Sequence, residues 1–228
     1  MGARCLLYYI TDRTQLPGSE AARRGALLDK IGEAAHAGVD FVQLREKDLS
    51  TRELECLTRD AVHVVREART ASGRQEGATR LLINSRTDVA LAAGADGVHL
   101  RSDDVRVSAV QSIWKRAFVG GVRVAERPVV AVSCHSFDDV RIAESEGADF
   151  AVFAPVFGKK AAPEARSQGV AALREVCGAG IPVLALGGIT IENATLCLAA
   201  GAAGIAGIRL FQENRIGEVV RALGEVRS

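Results

Sequence analysis

Four segments of the chain repeat one short pattern, in which a glycine leads into an apolar run. The segments read AGVDFVQL, AGADGVHL, EGADFAVF and AGAAGIAGI, and their first glycines are Gly38, Gly94, Gly147 and Gly201. Successive glycines lie 56, 53 and 54 residues apart. Each follows an alanine-rich helical pattern, which is typical of a helix that ends at a glycine before a strand. The chain is therefore predicted to consist of repeated helix–strand units.

Each interval is long enough for two such units. Further strands are predicted in LLYYIT at 6–11, LLINS at 81–85, PVVAVSCH at 128–135 and IPVLALGG at 181–188. Eight alternating units with strands rich in Val, Ala, Ile and Leu predict a parallel sheet covered by helices. The regular spacing favours an α/β fold closed into a (β/α)8 TIM barrel over an open doubly wound sheet. Residues 1–228 are expected to form a single barrel domain.

The composition narrows the classes of function. A formal net charge of +1 argues against a nucleic-acid-binding or membrane-surface protein. No apolar run approaches the roughly 18 residues of a membrane span, so a cytoplasmic protein is expected. A homo-oligomer is compatible with the sequence. The five cysteines are scattered and lack a CxxC pair, which indicates neither a disulfide framework nor a zinc site.

The second predicted strand ends in VQLREK, where every second residue is polar. Because residues two apart on a strand share a face, Gln43, Arg45 and Lys47 are expected to form one row at the barrel mouth, where such enzymes carry their chemistry. A buried cation needs a partner or a ligand. An arginine that binds bidentately and a lysine that acts as a point charge suit a phosphate or diphosphate. The alternative is an ion-pair cluster with Glu46 or with an acid of a neighbouring strand.

The segment LGGIT predicts a second anion site. Gly187 and Gly188 end the seventh strand and precede a helix predicted around 192–200. Bare backbone amides at a helix start bind phosphate, and the loops after strands seven and eight are the usual phosphate site of this fold. Arg209, near the end of strand eight, would add a positive charge. The alternative is a tight turn that requires glycine.

Other polar residues follow the remaining strands. Asp103 and Asp104 suit a magnesium site, or one of them caps the next helix. His99 is more typical of a satisfied barrel residue than of a base. His135 lies near Ser133, but no Ser-His-Asp order follows from the sequence. The twelve-residue loop GKKAAPEARSQG at 158–169 has the length of an active-site lid or a binding loop.

Several segments in order carry a family resemblance: YYITD, VQLREK, LLINSRTDVALAAGADGVHL, VSCHS, PVFGKK and VLALGGIT. Over nearly its whole length the chain resembles the thiamine phosphate synthase/TenI family. The resemblance implies a (β/α)8 barrel with Mg²⁺ that couples hydroxymethylpyrimidine diphosphate to thiazole phosphate, releasing diphosphate, in thiamine biosynthesis. Its implied partners are these phosphorylated pyrimidine and thiazole substrates. Such a transferase stabilises charge on a leaving group and excludes water, so it needs no nucleophile.

The resemblance also implies roles for individual residues. The counterparts of Gln43, Arg45, Lys47 and Asn84 hold the pyrimidine diphosphate, and Asp104 matches a magnesium ligand. Together with the strand-end pattern, this assigns catalytic roles to Arg45, Lys47, Ser133 and Lys159; substrate binding to Gln43, Asn84, His135, Lys160, Gly187, Gly188 and Arg209; and magnesium ligation to Asp104 and Asp103.

The chain departs from the synthase pattern at several positions. Ser85 stands where synthases usually have a magnesium-binding aspartate, and Arg101-Ser102 replaces a usual Gly-Gln. Arg209 takes the place of a small residue, and the loop GKKAAPEA lacks the usual threonines. The runner-up function is a TenI-like thiazole phosphate tautomerase, although Pro155 stands at its acid/base histidine and His135 would have to be recruited. Further alternatives are a non-catalytic binder of thiamine intermediates and another phosphate-binding barrel enzyme.

Overall fold

The computed structural model describes residues 4–72, 78–119, 122–123, 127–158 and 167–225. Eight parallel strands close into a barrel in which each strand pairs with the next along the chain, and β8 pairs with β1. The strands are β1 Leu6–Ile10, β2 Phe41–Leu44, β3 Arg80–Asn84, β4 Gly97–Leu100, β5 Val129–Cys134, β6 Phe150–Phe153, β7 Val183–Ala185 and β8 Gly204–Gly207. The predicted (β/α)8 TIM barrel is confirmed.

Helices follow the strands on the outside of the barrel. They are α1 Glu20–Ala37, α2 Thr51–Ser72, α3 Thr87–Ala93, α4 Val107–Arg116, α5 Phe137–Ser145, α6 Gly169–Val176, α7 Ile191–Ala199, α8 Arg209–Gln212 and α9 Ile216–Glu225. A 3₁₀ turn, Arg13–Gln15, follows β1, and a short antiparallel pair, Phe118–Val119 with Val122–Arg123, precedes β5. Among the described residues, none of the helices is long and apolar enough to cross a membrane.

Both the glycines and the aspartates of the repeated pattern have structural roles. Gly38 caps α1 at φ 86° and Gly94 caps α3 at φ 71°, in the left-handed region that glycine adopts without strain. In three of the four repeats, an aspartate two residues after the glycine links its own strand to the preceding one. Its Oδ2 accepts the amide of that strand at 2.7–2.8 Å, in the pairs Asp40–Leu7, Asp96–Leu81 and Asp149–Val130.

The barrel is filled rather than hollow. One buried cluster occupies its interior, formed by Tyr8, Ile10, Leu82, Ala131, Phe150, Val152, Leu184 and Ala206. A larger apolar cluster lies between the strands and the surrounding helices. Polar side chains therefore gather at the mouth, where the strands end, as is general for this fold.

Candidate functional site

The row predicted at the end of β2 extends beyond the strand itself. β2 ends at Leu44, whose side chain packs in the layer between strands and helices. Its neighbours Gln43 and Arg45 face the other way, towards the mouth. Along the row Gln43 is buried, Arg45 is half-buried and Lys47 is exposed. The row thus runs from the barrel interior to solvent.

Glu46 is not the partner of this row. It lies on the opposite side of the segment, where its carboxylate accepts Thr11 Oγ1 at 2.6 Å and Arg13 Nη1 at 3.0 Å. Burial raises the pKa of Glu46, and the bonds from Thr11 and Arg13 oppose that shift. No ion pair is found for Arg45 or Lys47 in the part of the chain that the structure describes. The alternative of an ion-pair cluster with Glu46 is therefore wrong.

Arg13 was missed by sequence reasoning. Only 3% of its side chain is exposed, and it contacts three carboxylates: Glu46, Asp48 at 2.7 Å and Glu20 at 2.8 Å. The bond from Asp48 is the main reason that the pKa of Arg13 is raised. An arginine three residues after the end of β1 was the available signal, but its partners come from two other segments.

A chain of hydrogen bonds links the ends of β2, β3 and β4. Gln43 Nε2 donates to Asn84 Oδ1 at 3.3 Å, and Asn84 Nδ2 donates to Ser85 Oγ at 3.3 Å. Ser85 Oγ donates to Asp104 Oδ2 at 2.6 Å, and the same oxygen accepts the amide of Arg101 at 2.7 Å. The structure therefore joins three residues predicted for this site, Gln43, Asn84 and Asp104.

Ser85 adopts an uncommon backbone conformation. Its φ is +58°, the one positive value among the described residues other than glycine. Such a conformation costs roughly 1–2 kcal/mol for an L-residue. It is held by a hydrogen bond from the Ser85 amide to the His99 carbonyl at 2.9 Å. It also directs the hydroxyl to Asp104, and strain of this kind is common at functional sites.

The two loop aspartates differ in their surroundings. The side chain of Asp104 is 13% exposed, whereas that of Asp103 is 72% exposed. The helix-cap alternative is wrong for both, because α4 begins at Val107 and its N-cap position is Arg106. The Arg101 guanidinium lies between them, at 3.3 Å from Asp103 Oδ1 and 3.4 Å from Asp104 Oδ1.

Magnesium ligation by Asp104 and Asp103 stays a prediction, and the donor set fits that ion poorly. Mg²⁺ in proteins uses one or two carboxylates in addition to substrate phosphates and water. Here Oδ2 of Asp104 already accepts two hydrogen bonds, and its Oδ1 faces the Arg101 guanidinium. No group of three or more acidic, histidine or cysteine side chains suited to a metal is found in the described segments.

His99 is a satisfied barrel residue, as predicted. Its Nδ1 lies 3.0 Å from Tyr8 Oη, and its Nε2 lies 2.7 Å from Ser133 Oγ. Burial and then the positive charge of Arg45 lower its pKa to about 3, so the ring is neutral. Since its second nitrogen contacts a tyrosine and not a carboxylate, Ser133 and His99 do not form a nucleophilic triad.

Ser133 lies on the same side of the mouth as the loop after β4, because Arg101, Asp104 and Ser133 line one cavity of about 280 Å³.

His135 is exposed and connects two loops. Its Nδ1 lies 2.8 Å from the Ala154 carbonyl, and its own carbonyl accepts Gln168 Nε2 at 2.9 Å. Substrate binding by His135 stays a prediction.

The second predicted anion site, formed by Gly187 and Gly188, lies across the mouth from the row of β2. It offers a ligand only backbone groups. Gly187 and Gly188 have φ values of +103° and +60°. The loop after β6 packs tightly on them: a Cβ on Gly187 would lie 2.8 Å from Pro155, and one on Gly188 would lie 2.8 Å from the Gly158 carbonyl oxygen. Their carbonyls accept Phe157 N and Asn193 Nδ2, while neither of their amides donates to a described protein group. A tight turn that requires glycine and a pair of free amides therefore coincide here.

The predicted helix after the glycines, Arg209 and the two loop lysines remain to be placed. The helix after the glycines is α7, Ile191–Ala199, within one residue of its predicted bounds at each end. Arg209 is the first residue of α8 and is exposed. Lys159 and Lys160 lie outside the described residues, so their assignments stay predictions.

Comparisons with known proteins agree with this fold. A family model described as thiamine monophosphate synthase matches residues 7–211. A putative thiamine-phosphate synthase 2 from Aquifex aeolicus is 38% identical over 208 residues, which cover 91% of this chain and 97% of that protein. A thiamine-phosphate synthase from Chlorobium luteolum is 40% identical over 187 residues, which cover 78% and 76%. The solved structure of a thiamine phosphate pyrophosphorylase from Pyrococcus furiosus superposes with a TM-score of 0.74 at 28% identity, covering 97% of this chain and 94% of that one.

Proposed function

The chain belongs to the thiamine monophosphate synthase family, as its motifs predicted, and we propose that it couples a pyrimidine diphosphate to a thiazole phosphate in thiamine biosynthesis. Curated relatives at 33–40% identity carry the name thiamine-phosphate synthase, a transferase. The observation that carries the proposal in this chain is the row at the end of β2. Arg45 and Lys47 form no ion pair with the described residues, and so they remain available to an anion.

The row suits a leaving diphosphate. Burial of a cation without a partner is costly, and a bound anion removes that cost. The pKa of Lys47 is lowered chiefly by Arg45, so their charges act on the same region of the mouth. Fixed cations aimed at the place where negative charge develops lower the barrier of a reaction that expels an anion. Gln43 and Asn84 add uncharged hydrogen-bonding groups to the same wall.

The proposed reaction breaks one bond and forms one. The bond from the pyrimidine methylene carbon to the diphosphate oxygen breaks, and its electron pair leaves with the diphosphate. The thiazole nitrogen then donates its lone pair to the pyrimidine-stabilised cation and forms the new carbon–nitrogen bond. The chain must hold the diphosphate, align the thiazole and exclude water. We assign the thiazole phosphate to the amides of Gly187 and Gly188.

The tautomerase alternative has less support. Its acid/base histidine would occupy the position of Pro155, which has no titratable group and packs against Gly187. His135 is the histidine that would have to replace it, but its Nδ1 contacts the Ala154 carbonyl on the exposed rim.

An assay of the purified chain tests the proposal. The protein is given the pyrimidine diphosphate and the thiazole phosphate, with and without magnesium, and thiamine phosphate is detected after oxidation to fluorescent thiochrome. We expect product, and a Lys47→Gln variant is expected to lose roughly tenfold or more in turnover. Lys30→Gln, which changes a lysine paired with Glu33 on α1, is the matched control.

Three outcomes separate the functions. Product under either condition supports the synthase. Conversion of the thiazole phosphate to its tautomer without coupling would replace it with the isomerase. Binding of both phosphorylated compounds without turnover of either would show a binding protein.

A further inference from the structure

In the loop after β4, the Arg101 guanidinium contacts the carboxylates of both Asp103 and Asp104. Asp104 Oδ2 accepts Ser85 Oγ and the Arg101 amide, and the Arg101 guanidinium lies 3.4 Å from Oδ1. Asp103 Oδ1 lies 3.3 Å from Arg101 Nε. A divalent cation at this place would lie beside the Arg101 guanidinium, and repulsion between the two positive charges weakens its binding. The loop therefore presents a guanidinium where two acidic residues alone would suit a metal.

The Arg101 guanidinium is placed to act together with the row at the end of β2. A chain of hydrogen bonds runs from Gln43 in that row, through Ser85, to Asp104, which contacts Arg101. Arg101 also lines the cavity beside Ser133. Its charge contributes, after Arg45 and burial, to the lowered pKa of Lys47. Three cations thus surround one part of the mouth.

The Arg101 side chain is free to change partners. It is 54% exposed, and its contacts with the two aspartates are at 3.3–3.4 Å, longer than the 2.7–2.9 Å of a strong charge-assisted hydrogen bond. A guanidinium matches two phosphate oxygens at once, so a bound diphosphate offers it a better partner than either carboxylate.

We propose that Arg101 supplies the positive charge that a divalent cation would otherwise provide at the diphosphate site, so that this chain binds diphosphate without magnesium. The inference rests on the proposed function for its choice of diphosphate as the ligand. Arg101 and Arg45 hold the diphosphate oxygens, and Asp104 holds Arg101 in place through its backbone amide. Ser85 satisfies the Asp104 oxygen that would otherwise be open to a metal.

Calorimetric titration with inorganic diphosphate tests the proposal directly. Binding is measured in EDTA and in excess magnesium at constant ionic strength, for the unchanged chain, Arg101→Gln and Arg59→Gln. Arg59 lies on α2, is 55% exposed against 54% for Arg101, and pairs with Glu55 at 2.7 Å, so it is the matched control. Since Arg101 is more than half exposed, its replacement leaves the core intact.

We expect the unchanged chain and Arg59→Gln to bind diphosphate in EDTA within about threefold of their affinity in magnesium. Arg101→Gln is expected to bind roughly tenfold or more weakly in EDTA. Binding that requires magnesium in the unchanged chain, or equal affinity of Arg101→Gln in EDTA, would overturn the proposal.

The coupling assay separates this inference from the proposed function. Coupling in EDTA that Arg101→Gln abolishes supports both. Coupling that requires magnesium overturns the inference and leaves the synthase function standing. Metal-free diphosphate binding that depends on Arg101, without coupling under either condition, supports the inference and overturns the synthase function.

Discussion

The segment that follows β2 carries paired charges on one side and, among the described residues, unpaired charges on the other. On one side, Glu46 and Asp48 are paired with Arg13 at 2.7–3.0 Å. On the other side, Arg45 and Lys47 lack an ion pair with any described residue. Apart from Arg13, these charges occupy four consecutive positions, 45–48. The comparison shows that pairing, and not position along the chain, separates a charge that stabilises the fold from one that is available to a ligand.

The paired side should matter most for stability. Arg13→Met leaves Glu46 as a buried carboxylate without a compensating cation, and we expect the unfolding free energy to fall by roughly 3–5 kcal/mol. The measurement is urea unfolding. The control is the double variant Arg13→Met/Glu46→Leu, which removes both charges. It should be more stable than the single variant, and equal stability would show that leaving Glu46 without its cation costs nothing.

The unpaired side should matter for catalysis instead. Arg45→Gln is expected to lower kcat/KM for coupling by roughly 100- to 1000-fold, because it removes a positive charge directed at the leaving group. Its unfolding free energy should change by less than about 1 kcal/mol, since no protein partner is lost. Arg52→Gln, which changes an exposed arginine in the first turn of α2, is the control. A loss of stability in Arg45→Gln as large as that in Arg13→Met would end the distinction between the two sides.

The fold could be predicted because its determinants are local and repeated. The glycines that end helices and the apolar runs after them recur at a nearly constant interval, so eight strands followed from the sequence. The role of the aspartates in the repeat was not predicted, because each accepts a hydrogen bond from an amide of the preceding strand. The short pair Phe118–Val119 with Val122–Arg123 was not predicted, since two-residue strands leave no periodicity.

The site was predictable only in part, for the same reason. Alternation along one strand placed Gln43 and Arg45 on one face. Glu46 does not pair with that row, because it pairs with Arg13. Arg13 lies in the 3₁₀ turn after β1, and spacing within the β2 segment does not show this contact. The helix-cap reading of Asp103 and Asp104 was wrong because α4 starts three residues after Asp104, whose carboxylate binds Ser85 and the Arg101 amide instead.

His99 shows how the cations of the mouth act on a neighbour. Its pKa is lowered from 6.5 to about 3 by burial and by Arg45. The unfolded chain therefore binds a proton that the folded chain does not, and stability falls as the pH drops from about 6.5 towards 3. His99→Gln should reduce that fall by up to about 1.4 kcal/mol per pH unit, as measured by urea unfolding across pH 7 to 4.5. His63→Gln, on the exposed face of α2, is the control, and a His99→Gln profile that coincides with it would show that the His99 ring is charged in the folded protein.

The smallest expected effect concerns Ser85, which joins the two strand ends through its hydroxyl. Ser85→Ala removes the hydrogen bond to Asp104 and keeps the strained backbone, so the unfolding free energy should fall by about 1 kcal/mol. Ser85→Gly removes the same bond but relieves the positive φ of +58°, and it should be more stable than Ser85→Ala by about 1 kcal/mol. Equal stabilities in urea unfolding would show that Ser85 leaves the left-handed region in solution. If the difference is found, the chain holds a strained residue in order to direct one hydroxyl at Asp104, which links the polar row of β2 to the loop that carries Arg101.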